Sequence, residues 1–164
     1  MTPNATALAN YFVDKAEKEN FRLMQLGLMK RVYITHGFCL AIFEISALDP
    51  RFDTVEAWKN GPVIPSVYHS FKYNKNNPIK DKSVITDEMD KDGIISFVTP
   101  ELEENRRIMV ADMVWERYKE YSDYELVELT HKEGTPWALS YTEGKNNPID
   151  DSLTKAYYDK LIVR

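Results

Sequence analysis

The chain has 164 residues, 43% of them apolar and 12% aromatic. That is enough for one globular domain burying roughly two thirds of the surface its unfolded form would expose. The 26 acids outnumber the 21 bases for a net charge of −5, and no run of Lys or Arg appears, which argues against a nucleic-acid grip built on a basic face.

Leu8, Phe12 and Ala16 recur every four residues and predict a first helix over about 4–18. A second, from about Leu23 to Glu44, starts amphipathic and beyond Val32 is apolar on nearly every face, the pattern of a central helix wrapped by others. Gly27 and Gly37 inside it each cost about 1 kcal/mol relative to alanine, and close packing of a neighbour would account for them. Its longest apolar stretch, Val32 to Ile45, is interrupted by Thr35, His36, Gly37 and Glu44 and reads as too short and too polar to span a bilayer. The N-terminus lacks a basic segment followed by an apolar run, so a cytoplasmic location is expected. Cys39, the one cysteine, sits among Phe38, Leu40 and Ile42 and reads as a buried thiol in a reducing compartment, not as a nucleophile.

Residues 46–53 form a turn, Thr54–Trp58 alternates like a short strand, and Lys59-Asn60-Gly61-Pro62 turns again. The prolines after Gly61 and Ile64 push both residues into extended form, and Pro65 is placed to open a helix carrying Val67 and Phe71. The segment EAWKNGPVIPSVYHSF (56–71) therefore joins turn chemistry to unusual aromatic surface. One reading makes it a corner with Trp58 and Phe71 anchored in the core. The other leaves Trp58, Tyr68 or His69 partly exposed as contacts for a partner.

Residues 74–93 are a polar connection, with a short strand at Ser83–Thr86 suited to pair with Ile94–Val98. Thr99-Pro100-Glu101 combines a capping hydroxyl, a first-position proline and a following acid, predicting a helix from there to about Tyr118. Ser122 to Glu125 is a capping box opening a short helix through about Thr130. Gly134 ends that segment and Thr135-Pro136-Trp137 starts another. Asp150, Asp151 or Ser152 caps a last helix, about 151–163, striped by Leu153, Tyr157 and Leu161. Its Tyr157, Tyr158 and Leu161 suit either core packing or contact with a partner. KNNPI occurs at 75–79 and again at 145–149 and reads as chance. The sum is a mainly α fold: one compact helical domain over 1–164 around a central apolar helix, with a minor β element.

Chemistry-bearing residues are sparse. His36, His69 and His131 have no metal-ligand spacing, and no phosphate-loop, dinucleotide or serine-elbow motif is present, so no metal or cofactor is expected. His131 in LTHKEGTPW is the best single catalytic candidate, but its place near a helix C-terminus favours a bond to free carbonyls over catalysis. Glu56 and His69 flank the GPVIP turn without a nucleophile between them, and Ser66 reads as a first-turn helix residue. A small hydrolase using His131 with Glu56 or His69 is the enzymatic alternative; no residue is assigned as catalytic.

Three stretches, LGLMKRVYITHGFCLAIF (26–43), VEAWKNGPVIPSVYHSF (55–71) and VWERYKEYSDYELVELTHKEGTPW (114–137), resemble the three blocks of the Panacea domain, the SocA-like antitoxin family. The middle block is the most specific, through Ala57-Trp58-Lys59, Gly61-Pro62-Val63 and Pro65 to Tyr68. The first departs from the family at Gly27, usually lysine, and Met29, usually glutamine. The resemblance implies a non-catalytic antitoxin that neutralises a cognate toxin by direct protein binding, the toxin being encoded by an adjacent gene of a bacterium or prophage. It also admits an adaptor that delivers the toxin to a protease, or a phage protein that binds a host factor. The candidate partner-binding residues are Trp58, Tyr68, His69 and Tyr158, with no nucleic-acid or membrane partner expected.

Overall fold

The computed structural model describes residues 4–87 and 89–164. Helix α1 (Ala5–Lys18) starts at Asn4, whose side chain accepts from the N–H groups of Thr6 and Ala7 and so satisfies two of the first-turn donors. Helix α2 (Gln25–Phe43) is the axis of the fold, with every residue from Gly27 to Ala41 buried. Its 19 residues match a bilayer in length and apolarity, a stronger match than the Val32–Ile45 stretch alone suggests. The other helices bury it instead: α1, α3, α4, α5 and α7 all pack against it. These are α3 (Pro65–Phe71), α4 (Asn105–Tyr118), α5 (Asp123–His131) and α7 (Asp151–Asp159), with the short α6 (Pro136–Ser140) between the last two.

The β element is minor, as the sequence suggests, but it contains pairings that the sequence does not show. Strand β1 (Glu56–Trp58) pairs antiparallel with β2 (Gly61–Val63), with Trp58 opposite Gly61. A second pairing joins β1 to β5 (Asn147–Pro148), which gives a three-stranded sheet in the order β2-β1-β5. The expected hairpin also forms, β3 (Ile85–Thr86) against β4 (Phe97–Val98), with Ile85 opposite Val98. Strand β5 lies in the second KNNPI. Both copies do the same local job: Ile79 and Ile149 are buried and donate their N–H groups to Leu23 and Val55 carbonyls, each at 2.8 Å.

The expected start of α4 at Thr99-Pro100 is wrong by a turn and a half. The side chain of Asn10, buried on α1, takes the Pro100 carbonyl at 3.0 Å and the Ser83 carbonyl at 2.9 Å. That tertiary bond holds residues 99–103 out of the helix, and Glu104 becomes the cap by accepting from the Arg107 N–H. The last helix takes Asp150 as its cap and lies on α2, where Tyr158 is buried.

Candidate functional site

The three sequence blocks are far apart in the chain, and the fold brings them to one place. The first supplies α2, the second β1-β2-α3, and the third α5 and α6. Lys30 of α2, fully buried, donates from Nζ to the Pro62 carbonyl at 2.8 Å. This clamps the turn from below, and burial of the amine pulls its pKa down from 10.5 to about 7. Gly61 crosses directly over that amine with φ +114°, and a Cβ there would sit 2.8 Å from Nζ, so both the backbone angle and the space demand glycine. From the third block, the Trp137 indole N–H donates to the Trp58 carbonyl at 2.6 Å.

Trp58 answers the question posed by its aromatic turn. It is half-buried; its indole N–H donates to Glu56 at 2.7 Å, and its ring meets Tyr68 edge-on at 5.1 Å. Tyr68 in turn lies edge-on to His69 at 5.2 Å. Trp58 and Tyr68 wall a groove of about 510 Å³, with Met29, Lys30, Val63 and Asp123 among its other lining residues. Of the four expected partner residues, His69 is exposed, Trp58 and Tyr68 are half-buried, and Tyr158 is in the core, where burial raises its hydroxyl pKa well above the ordinary value. Phe71 is buried as the corner reading expects.

The departure at Gly27 also has a structural correlate. A Cβ at Gly27 would fall 2.2 Å from Asp123 Oδ1 and 2.7 Å from Arg31 Nη1. The missing side chain lets the Asp123 carboxylate accept the Gly27 backbone N–H, and it feels the charge of the buried Arg31 guanidinium without forming an ion pair with it. Burial raises the Asp123 pKa, the arginine opposing that shift. Arg31 also lies over the rings of Phe21 and Trp115, at 5.3 and 5.7 Å, and donates to the Tyr118 carbonyl at 3.1 Å. Sequence reasoning missed Lys30, Arg31, Asp123 and Trp137. For the first two the sequence offers only a pair of adjacent cations in the amphipathic half of the central helix, a pattern that a solvated face shares.

The candidate catalytic side chains are engaged elsewhere. His131 bonds through Nδ1 to the Val127 carbonyl one turn back and meets Trp137 edge-on at 5.2 Å. No hydrogen bond among the described residues joins it to Glu56 or His69. Ser66 donates to Asp53 at 2.6 Å, and the same carboxylate accepts the N–H groups of Ala5 and Asp49. His36 accepts the Ala47 N–H at Nδ1 and therefore presents Nε2–H to Asp151 at 2.9 Å. Cys39 is fully buried, which pushes its thiol up to about 12 and leaves it protonated at neutral pH. Among the described residues no cluster of His, Cys, Asp or Glu could hold a metal ion.

Comparison with known proteins agrees with this convergence of three blocks. The profile of the family described as "Antitoxin SocA-like, Panacea domain" matches residues 28–138, which contain every residue of the clamp. The chain is 30% identical over 134 residues to "Antitoxin SocA" of Caulobacter vibrioides (strain NA1000 / CB15N), covering 82% of this chain and 68% of that protein. No solved structure matches significantly. With a profile match over most of its length, on the residues that build the clamped turn, this chain belongs to the SocA-like antitoxin family built on the Panacea domain.

Proposed function

We propose that this chain is the antitoxin of a toxin–antitoxin pair and silences its cognate toxin by direct protein–protein binding, performing no chemistry itself. Membership of the SocA-like family across all three blocks carries the reading. The side chains suited to acid–base work support it, because Ser66, His36, His131 and Glu56 each serve a structural bond. The toxin is expected to be encoded by an adjacent gene and to meet this chain in the cytoplasm.

The test is co-expression with the neighbouring reading frame, scoring growth rescue and co-purification. Rescue with a stable complex, and inhibition of the purified toxin without added protease, is the expected result. Rescue that requires a protease would make the chain an adaptor instead. A neighbour that is not toxic, with nothing co-purifying, would sink the antitoxin reading.

A further inference from the structure

Among the described residues, the largest group of exposed apolar side chains lies on the β3–β4 hairpin. Phe97 is 70% exposed, Ile94 64% and Met89 63%, and Val84 and Ile95 are also largely in solvent. Because Ile85 pairs with Val98 and Thr86 with Phe97, the Ile85–Val98 pair and Phe97 face opposite sides of the ribbon. Among the described residues this sheet has two strands, so no third strand covers either outer edge. An isolated two-stranded ribbon is marginal in water, and this one is made firm at its base. Asn10, 1% exposed, takes the Ser83 and Pro100 carbonyls and receives the Ser83 N–H at 2.8 Å, tying both feet to α1. The turn at the other end is closed by Asp90, whose carboxylate accepts the N–H groups of Asp92 and Ile94, both at 2.9 Å.

The charge of the molecule is concentrated in the same place. Residues 84–103 hold six of the 26 acids and one of the 21 bases, a net −5 that equals the charge of the whole chain; Glu104, next in line, is paired with Arg106 and Arg107. An apolar ribbon rimmed by carboxylates excludes several occupants on charge alone. Nucleic acid and anionic membrane surfaces are repelled, and pairing of the ribbon with its counterpart on a second copy brings two −5 stretches together. What fits is a protein with a basic rim around an apolar cleft or an open strand edge, engaged by insertion or strand addition.

We infer that the β3–β4 hairpin is the docking element of this antitoxin, and that its occupant is a basic partner protein which buries Ile94 and Phe97. This rests on the antitoxin reading and names the surface through which it works. The aromatic groove at Trp58 is then part of the scaffold.

The experiment measures binding of the purified full chain to the protein encoded by the neighbouring reading frame, at two salt concentrations. It compares the wild type with Ile94→Ser/Phe97→Ser and with Asp92→Lys/Glu103→Lys, recording thermal unfolding for each. The expected result is a loss on the order of thirtyfold for the apolar pair. The charge reversal should slow association and flatten its salt dependence, with the unfolding midpoints unchanged. The charge reversal touches no apolar packing, so it decides the matter if the apolar pair fails to fold. Wild-type binding with both variants within about twofold of it would overturn the inference and leave the antitoxin reading standing. A self-association of the wild type abolished by Ile94→Ser/Phe97→Ser would overturn it too, as a contact between copies. No binding by the wild type itself would bring down both readings together.

Discussion

Gly37 lies flat against the ring of Tyr158: a methyl group at position 37 would fall 2.3 Å from the ring's Cδ2 and 2.4 Å from its Cε2. The same ring meets Phe38 edge-on at 4.9 Å and Tyr33 at 6.0 Å. The contact between α2 and the last helix is therefore set by the absence of one side chain.

Gly37→Ala is expected to destabilise the protein. Overpacking costs about 1–3 kcal/mol, which exceeds the gain in helix propensity of up to about 1 kcal/mol. In a Tyr158→Ala background the same change should become neutral or stabilising, because the obstructing ring is gone. Denaturant unfolding of the four proteins of this double-mutant cycle measures the coupling. Additive effects would show that the two positions do not meet.

Lys30 makes stability depend on pH. Its pKa is lowered from 10.5 to about 7 on folding, so between those values the native chain binds fewer protons than the unfolded one. Stability then rises with pH, by up to about 1.4 kcal/mol per unit, and the burial penalty is fully present below pH 7. The Cys39 thiol, raised from 9.0 to about 12, acts in the opposite sense in more alkaline solution, so unfolding is best followed from about pH 6.5 to 8.5. Lys30→Met should flatten the slope in that window, and an unchanged slope would show that Lys30 is not its source.

Asn10→Ala removes the group that ties both feet of the hairpin. The Ser83 N–H and the two carbonyls lose their partner, at an expected cost of about 1–3 kcal/mol. Amide hydrogen exchange should accelerate over residues 83–98 while α2 stays protected. Faster exchange spread evenly through the domain would argue that Asn10 supports the core as a whole.

The two candidate starts of α4 make separable predictions. Glu104 caps the helix that forms, and Glu104→Ala should cost about 1 kcal/mol. Thr99 lies in a segment that is not helical, so Thr99→Ala should change stability by less than about 0.5 kcal/mol. Thermal unfolding of the two variants distinguishes the starts, and a larger loss from Thr99→Ala would restore the earlier one.

The helices were legible because their signals are local. The four-residue recurrence of Leu8, Phe12 and Ala16 and the capping box at Ser122 each fix an element without help from distant residues. The misplaced start of α4 shows where that stops: Thr99-Pro100 is a good local cap that lost to a bond from Asn10, a residue 90 positions away. Strand β5 was hidden for the same reason, since Asn147 and Pro148 have little strand character of their own and are extended only by pairing with β1. At the site, the aromatic corner could be read from its prolines, but the buried amine beneath it could not. A lysine between Met29 and Arg31 looks like a solvated charge until the turn that it clamps is in place.

The segment recognisable by family runs from Leu28 to Ala138, yet β1 takes its third strand from Asn147 and Pro148, and α1 and α7 pack on α2 from either side of that segment. What can be recognised is thus smaller than what can be transplanted. A fusion protein cut at the recognisable ends would carry an unpaired sheet edge and the bare glycine face of α2. A portable version of this module has to bring α1, the second KNNPI and the last helix with it.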